Sequence, residues 1–342
     1  MKAALYKKAG KFEMGDAEVA QVKNNEVKVA VHYCGICGTD LHYRHGSFEY
    51  RILDMPGIPG HECSGVIEEV GSDVTKFKVG DRVVVKPLES CGHCNACKAG
   101  YDNACMELKC YGIEYRGSFA QYYVVSDHVC HHMPEEMSMM DAALVEPMSV
   151  ACHVNDRAEV KKDENVVVLG GGPIGVLVAM VSKYRGANVI ISEANPARIQ
   201  AAKALGFDTI NPMEVDVVEY VKEKTNGLFA DTIFEVAGVQ ATIDTMTKLV
   251  HTRSKVVIVA AHQKPVSLDV RALYMKECDL LTSRTCTSHD MEEALKVINS
   301  KMYDWSKFIA EVYPLSKIDE AMDAAESGKG GLKVMVDCQN ID

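Results

Sequence analysis

The sequence lacks a surplus of basic residues. It has 37 Lys and Arg against 48 Asp and Glu, which gives a formal net charge of -11. Proteins that bind nucleic acid neutralise phosphates with clustered Lys and Arg. We therefore exclude nucleic acid as the principal ligand, and the negative balance instead favours solubility.

The sequence also lacks long hydrophobic runs. No stretch reaches the roughly 18 apolar residues that a membrane-spanning helix requires, and the apolar part of the amino-terminal segment is too short for a secretory signal. Without an export signal, the thirteen cysteines favour a reducing cytoplasm, where they serve as metal ligands or buried thiols rather than disulfide partners. The chain is thus expected to be cytoplasmic and to have no membrane partner.

The 342 residues suffice for two domains, and their pattern changes near residue 152. Before that point, short segments such as 26–31 and 81–85 alternate polar and apolar residues, as half-buried strands do. After it, continuous apolar runs such as Asn165–Leu169 and Ala230–Glu235 alternate with helical stretches. The second pattern is typical of a doubly wound parallel sheet. The predicted fold class is α/β, with a β-rich domain and a doubly wound parallel-sheet domain.

Four cysteines fall within fifteen residues: Cys91, Cys94, Cys97 and Cys105. A Cys-x-x-Cys-x-x-Cys run with a fourth thiol one loop away suits a tetrahedral, four-thiolate zinc ion. A small iron–sulfur cluster also fits the spacing, and disulfides in a secreted loop are a further alternative. Since four thiolates leave no open coordination position, a zinc ion here is structural, and the chemistry lies elsewhere.

A glycine-rich turn follows the first buried strand. Gly170, Gly172 and Gly175 fit the pattern Gly-x-Gly-x-x-Gly, and Pro173 and Ile174 open the helix behind it. In this context the first Gly permits the turn, the second lets a pyrophosphate approach, and the third lets the helix pack on the strand. Free amide groups at the helix start then meet the phosphates, which predicts a dinucleotide site.

Two residues bear on the choice of dinucleotide. Glu193 stands 18 residues after Gly175, where an acid accepts hydrogen bonds from the adenosine ribose and repels a 2′-phosphate. This favours NAD over NADP. Arg198, five residues later, could flank the adenine, receive a phosphate, or lie on the helix face without a ligand.

Further motifs complete a recognisable order: Cys37-Gly38-Thr39-Asp40-Leu41-His42, Gly60-His61-Glu62 and Glu146-Pro147. Together with the cysteine lobe and the glycine-rich turn, they resemble the zinc-dependent medium-chain dehydrogenase/reductase family, in its sorbitol (polyol) dehydrogenase branch. The resemblance covers nearly the whole chain. It implies a GroES-like catalytic domain of residues 1–151 and 287–342, with the zinc lobe at about 90–106, and an NAD-binding Rossmann domain of residues 152–286.

The resemblance also implies a catalytic metal centre. Cys37, His61 and Glu62 match the ligands of the catalytic zinc, and Glu146 matches a carboxylate that binds the metal directly or through water. Few protein ligands and one open position suit a zinc ion that acts as a Lewis acid on an alcohol oxygen.

Proton and hydride transfer follow from the same resemblance. The hydroxyl of Thr39 takes the substrate proton, which passes by way of the nicotinamide ribose and His42 to bulk water. The hydride goes to the nicotinamide, while the protein supplies position and charge. Asp40 is expected to hold the ligand shell from behind.

The implied substrate rests on Glu146 and Arg284. Simple-alcohol members of the family carry a Cys ligand near Glu146, whereas polyol and vicinal-diol members carry Glu-Pro. Arg284 matches an Arg that faces the substrate in polyol dehydrogenases, although Thr285 departs from the Tyr that follows it there. We expect oxidation of a secondary alcohol flanked by another hydroxyl, with L-threonine 3-dehydrogenase and 2,3-butanediol dehydrogenase as the alternatives.

Two other classes of protein share some of these features: a zinc-free quinone-type reductase and a metal-stabilised binding protein without catalysis. The filled ligand positions argue against both, so the chain is expected to hold NAD and two zinc ions, one catalytic and one structural. Members of the family form dimers or tetramers through the edge of the cofactor-domain sheet. Asp279–Thr282 is the expected edge strand, and a homodimer or homotetramer is therefore predicted.

Overall fold

The computed structural model of the chain describes residues 1–8, 10–47, 51–53, 55–262, 264–328 and 331–342. These residues form two compact units. The first contains Met1–Glu146, Thr287–Lys301 and Ile309–Asp342, and the second contains Pro147–Cys286 and Met302–Phe308. No helix in these ranges has both the length and the apolar character needed to cross a membrane.

The units differ from the expected division at two places. The boundary between the units falls between Glu146 and Pro147 rather than at residue 151. It lies inside one continuous helix, Val145–Ala158, whose first two residues belong to the first unit. Residues Met302–Phe308 belong to the second unit rather than to the first. Tyr303 explains this placement, since its hydroxyl donates to the carbonyl oxygen of Met180 at 2.9 Å within the second unit.

The strands of the described residues, in chain order, are β1 (Lys2–Lys8), β2 (Lys11–Asp16), β3 (Glu26–Gly35), β4 (Glu62–Val70), β5 (Arg82–Val85), β6 (Leu88–Glu89), β7 (Lys109–Cys110), β8 (Tyr122–Ser126), β9 (Cys130–His132), β10 (Asn165–Leu169), β11 (Asn188–Ser192), β12 (Asp208–Ile210), β13 (Ala230–Glu235), β14 (Val250–Ile258), β15 (Asp279–Thr282), β16 (Ile309–Pro314) and β17 (Lys333–Asp337).

The helices are α1 (Gly38–Arg44), α2 (Asn95–Lys98), α3 (Met139–Ala142), α4 (Val145–Ala158), α5 (Pro173–Tyr184), α6 (Pro196–Ala204), α7 (Val217–Lys224), α8 (Gln240–Leu249), α9 (Val270–Met275), α10 (Ser288–Asn299) and α11 (Ile318–Ser327). Short 3₁₀ turns lie at Asp102–Ala104, Asp127–Val129, Trp305–Lys307 and Leu315–Lys317.

The first unit is built on a mixed sheet with strand order β16-β17-β3-β4-β5-β9, and β8 also pairs with β3. Strand β3 runs antiparallel to β4 and to β17, with Gly35 opposite both Glu62 and Met335. The carboxyl-terminal strands therefore complete the sheet begun near the amino terminus. The alternation of residues 26–31 buries Val27, Val29 and Val31 in the core of this unit, as a half-buried strand requires.

The second unit contains the predicted parallel sheet, with strand order β12-β11-β10-β13-β14-β15. All of its neighbouring strands pair in parallel. The order reverses beside β10, because β11 lies on one side of it and β13 on the other. In such sheets, ligands bind outside the carboxyl ends of the strands at the point of reversal.

Candidate functional site

The four predicted thiols of the cysteine lobe come together around α2. The Sγ distances are 4.0 Å from Cys91 to Cys97, 3.6 Å from Cys94 to Cys97, and 3.9 Å from Cys94 to Cys105. Ligands of a tetrahedral zinc ion with Zn–S bonds of about 2.3 Å lie about 3.8 Å apart. The geometry therefore fits a single metal ion held by all four thiolates.

Backbone amides prepare this lobe for anionic sulfur. The amide of Cys91 donates to Cys105 Sγ at 3.3 Å, the amide of Cys94 donates to Cys91 Sγ at 3.4 Å, and the amide of Glu107 donates to Cys105 Sγ at 3.3 Å. Backbone donors also lower the pKa of Cys94 to about 6. Thiolates, rather than thiols, are the form that binds zinc.

The second metal-ligating set lies at one end of the β3–β4 pair. Cys37 follows β3 and precedes α1, and His61 and Glu62 stand at the start of β4. One ligand atom from each of the three lies within 4.8 Å of the others. One thiol, one imidazole and one carboxylate suit zinc, and three protein ligands leave a coordination position open. His61 and Glu62 are buried and Cys37 is half-buried.

Asp40 ties the two ligand segments together from α1. Its Oδ2 accepts a hydrogen bond from the Cys37 amide at 2.9 Å, and its Oδ1 accepts one from the Gly60 amide at 3.2 Å. The Nδ1 atom of His61 lies 3.5 Å from the same Oδ1. Burial alone lowers the pKa of His61, but Asp40 and Cys37 outweigh it and hold that pKa well above its usual value. These negative surroundings equally favour a metal cation.

Lys333 is the residue of this centre that the sequence analysis missed. Its Nζ donates to both carboxylate oxygens of Glu62, at 2.6 and 2.8 Å, and to the carbonyl oxygen of Ile36 at 3.1 Å. Both side chains are almost fully buried. Burial alone lowers the pKa of Lys333, but Glu62 outweighs it and raises that pKa, so the pair is ionic. In the sequence, this lysine is merely the first residue of an otherwise largely apolar strand, β17.

Gly35 leaves room for the Glu62 carboxylate. A Cβ atom on Gly35 would lie 2.3 Å from Glu62 Oε2, which no side chain could tolerate without displacing that oxygen. The cross-strand partner of Glu62 must therefore be glycine for the carboxylate to stay where Lys333 holds it.

Glu146 lies in the first turn of α4 and is buried. Burial raises the pKa of its carboxyl group to about 7; the nearby His61 opposes this rise, and the negative charge of Glu62 adds to it. Among the described residues, Glu146 is outside the set whose ligand atoms lie within 4.8 Å of one another. Its position beside that set suits contact with a metal through water.

Thr39 and His42 both lie on α1, three residues apart, and therefore on one face of the helix. Thr39 is half-buried and His42 is exposed. Thr39 is two residues from Cys37 in the chain, and His42 faces solvent.

The glycine-rich turn has the predicted form. Gly170 has φ of +111°, and a Cβ on Gly175 would lie 1.8 Å from the Gly170 carbonyl oxygen. Gly172 caps α5, which continues with Pro173 and Ile174. A Cβ on Gly172 would meet only Arg198, at 3.6 Å, so the protein itself does not require glycine there. A ligand that approaches this backbone closely would require it.

Glu193 and Arg198 flank this turn. Glu193 is buried, and its carboxylate accepts hydrogen bonds from the amides of Gly171 at 2.8 Å and Asn195 at 2.7 Å. Arg198, on α6, has a buried Nε without a hydrogen-bond partner among the described residues. Its guanidinium group lies beside the turn, with one terminal nitrogen 3.6 Å from where a Cβ on Gly172 would stand. Arg284, by contrast, is exposed just beyond β15.

Family models match both halves of the chain. A model described as the alcohol dehydrogenase GroES-like domain matches residues 23–135, and one described as zinc-binding dehydrogenase matches residues 173–300. The chain belongs to the zinc-binding medium-chain alcohol dehydrogenase family, in the branch that contains sorbitol dehydrogenases. Its two units are accordingly a GroES-like domain and a Rossmann-like domain, and it is an alcohol dehydrogenase.

Two curated relatives cover nearly the entire chain. The 2-dehydro-3-deoxy-L-galactonate 5-dehydrogenase of Pseudoalteromonas atlantica is 39% identical over 338 residues, which span 99% of each chain. The sorbitol dehydrogenase of Bacillus subtilis is 33% identical over 343 residues, or 98% of this chain and 97% of the relative.

Solved structures of dehydrogenases are also similar to this chain over nearly its whole length. The 2R,3R-butanediol dehydrogenase of Bacillus subtilis has a TM-score of 0.91 at 29% identity, covering 98% of this chain and 99% of its own. An alcohol dehydrogenase of E. coli CFT073 complexed with NADH has a TM-score of 0.91 at 27% identity and the same coverage. A zinc-binding dehydrogenase of Sinorhizobium meliloti bound to NADP has a TM-score of 0.89 at 29% identity, covering 98% of each chain. Zinc and a nicotinamide cofactor are thus the groups that this family uses.

We expect separate loss of two metal ions. The wild-type protein should contain about two zinc ions per chain, and Cys97→Ser or Cys37→Ser about one each, because each variant removes a ligand from a different set. Cys97→Ser should also lower the unfolding temperature, since structural zinc contributes directly to folding. Elemental analysis and thermal denaturation measure both effects.

Cys278→Ser is the matched control, because Cys278 lies outside both ligand sets. It should keep about two zinc ions per chain. Equal zinc content in Cys97→Ser and wild type would contradict the four-thiolate assignment.

Lys333→Met should destabilise the protein freed of metal by a chelator by about 3–5 kcal/mol, because it leaves the buried Glu62 carboxylate without a cation. Lys28→Met is the matched control. Lys28 pairs with Glu69, whose side chain is 53% exposed, and breaking such a pair costs up to about 1 kcal/mol. Urea denaturation measures the difference. Equal decreases in the free energy of unfolding of both variants would show that the buried Lys333–Glu62 pair contributes little to stability.

Proposed function

We propose that this enzyme oxidises a secondary alcohol of a polyol or vicinal diol to a ketone, with transfer of the hydride to NAD and release of a proton. The observation that carries the proposal is the set Cys37, His61 and Glu62, with Glu146 beside it. It occurs in a chain 39% identical to a sugar-acid dehydrogenase and 33% identical to a sorbitol dehydrogenase.

The residues divide the work by position. A zinc ion held by Cys37, His61 and Glu62 would supply the positive charge that favours ionisation of the substrate hydroxyl. Thr39, on α1, would receive the proton, and the exposed imidazole of His42 would release it to water. Asp40 and Lys333 do not meet the substrate in this scheme. They orient the ligand segments through the Cys37 and Gly60 amides and through the Glu62 carboxylate.

NAD is the proposed cofactor. Glu193 is buried at the carboxyl end of β11, beside the glycine-rich turn, where its charge would repel a 2′-phosphate. Arg198 lies against Gly172 and would contact a phosphate of the pyrophosphate. Pro173, Ile174 and Gly175 place the α5 amides toward the same phosphates.

The substrate class follows from Glu146 and from the relatives. A carboxylate beside the metal set, where simple-alcohol members carry a thiolate, would accept a hydrogen bond from a second hydroxyl. Arg284 would supply donors to further hydroxyls. The likeness to a butanediol dehydrogenase structure favours a vicinal diol as the second candidate substrate.

A homodimer or homotetramer is proposed through the edge of the parallel sheet. Strand β15 is at that edge, and Leu280 on it is 46% exposed. Neighbouring α9 exposes Val270, Tyr274 and Met275. An open apolar strand edge invites pairing with a second copy. The thirteen cysteines, none of which forms a disulfide, support a cytoplasmic location.

The proposal is tested by NADH formation with zinc-replete protein. Polyols and vicinal diols should give kcat/KM at least about tenfold above primary alcohols, since one retained hydrogen bond in a buried site is worth about that factor. NADP should be used less well than NAD. A response led by L-threonine would keep the chemistry and refute the polyol assignment. No turnover with two zinc ions bound would contradict the proposed substrate class or the preference for NAD, whereas one zinc ion or none would favour the binding-protein alternative.

The oligomer is tested by light scattering. The mass should be two or four times the chain mass of 37.5 kDa, and Leu280→Lys should lower it. Leu228→Lys is the matched control, because Leu228 is 66% exposed in the loop before β13, an interior strand of the sheet, and should leave the mass unchanged. A mass of one chain for the wild-type protein would refute the proposal.

A further inference from the structure

A buried carboxylate at the end of β13 has an ordered set of donors. Glu235 is fully buried, and its Oε1 accepts hydrogen bonds from the amides of Ala237 at 3.1 Å and Gly238 at 2.7 Å and from the Thr242 hydroxyl at 2.7 Å. Its Oε2 lies 3.0 Å from Nε2 of His262. All three partners of Oε1 donate to it, so the Glu235 carboxylate acts here as a hydrogen-bond acceptor.

This arrangement determines the tautomer of His262. An ionised carboxylate only accepts hydrogen bonds, so Nε2 must carry a proton and donate it to Glu235. In the neutral imidazole, Nδ1 is then an acceptor. That Nδ1 is buried and has no hydrogen-bond partner among the described residues. Because an unpaired buried acceptor is costly, the site calls for a donor from outside the protein.

The place of His262 in the sheet indicates which donor. His262 follows the carboxyl end of β14, and Glu193 follows the carboxyl end of β11. The strand order reverses beside β10, so the two residues lie on opposite halves of the sheet. The end of β13 adjoins the glycine-rich turn, since the Val236 amide donates to Leu169 O at 2.9 Å and a Cβ on Gly170 would lie 2.9 Å from the Ala237 nitrogen. A dinucleotide crosses such a reversal, with one mononucleotide on each half. If Glu193 takes the adenosine half, the nicotinamide half lies over β13 and β14.

We propose that His262 is a cofactor-binding residue, whose Nδ1 accepts a hydrogen bond from the nicotinamide half of the dinucleotide, and that Glu235 is the positioning residue that fixes its tautomer. Two groups of that half are donors, the carboxamide NH₂ and the ribose hydroxyls. The inference rests on the proposed function insofar as it assumes a nicotinamide dinucleotide bound in the predicted orientation.

The test is nucleotide binding to the full-length, zinc-replete protein, measured by calorimetry with ADP, ADP-ribose and NADH. His262→Gln is the informative variant, because the glutamine amide can still donate to Glu235 but offers no acceptor at the Nδ1 position. The dissociation constant of NADH should rise about tenfold, while that of ADP should not change. If the constant for ADP-ribose rises as well, the donor is a ribose hydroxyl. If it does not, the donor is the carboxamide.

His251→Gln is the matched control. His251 lies at the amino end of β14, and its Nε2 also pairs with a carboxylate, Asp231, at 3.0 Å, but its Nδ1 already has a partner, the Thr252 carbonyl oxygen at 2.7 Å. It should leave all three constants unchanged. Unchanged NADH binding in His262→Gln, or equal weakening of ADP and NADH, would overturn the assignment. Failure of the wild-type protein to bind ADP or NADH would instead refute the proposed cofactor, and this inference with it.

Discussion

The antiparallel pairing of β3 with β4 is the interaction on which the metal centre depends. It sets Gly35 opposite Glu62, and it brings the segment that begins at Cys37 beside the one that contains His61. Because the register of a sheet alternates faces, a slip of one residue would turn the Glu62 carboxylate to the other face. The three ligand types converge only in the observed register.

Burial of several charges in one place is the second constraint. Asp40, Glu62 and Glu146 lie close to one another in the interior, and carboxylates in such surroundings need cations or donors. Lys333 supplies one cation, and the amides held by Asp40 supply donors. Burial and the charge of Glu62 raise the pKa of Glu146 to about 7. A divalent ion is the group that these surroundings suit.

Sequence patterns predicted what depends on local periodicity and spacing. The apolar runs Asn165–Leu169 and Ala230–Glu235 became parallel strands because a strand buried on both faces needs little else. The four cysteines met because their spacing already defines a compact loop. The contacts of Lys333 and His262 could not be found in this way, since each residue pairs with a carboxylate distant in the sequence, Glu62 in one case and Glu235 in the other. Such pairings depend on tertiary contacts that no local pattern records.

Buried carboxylates occur in both units, but the groups that surround them differ. Glu193 and Glu235 are buried carboxylates like Glu62, but their oxygens accept hydrogen bonds from the backbone amides of the loops that follow the strands. Those amides order the loops that follow β11 and β13, and Glu235 has the His262 imidazole as a further partner. Glu62 stands beside both a thiol and an imidazole, the donors that zinc prefers. The three buried carboxylates therefore differ in their surroundings: backbone amides predominate around Glu193 and Glu235, whereas metal-ligating side chains converge with Glu62.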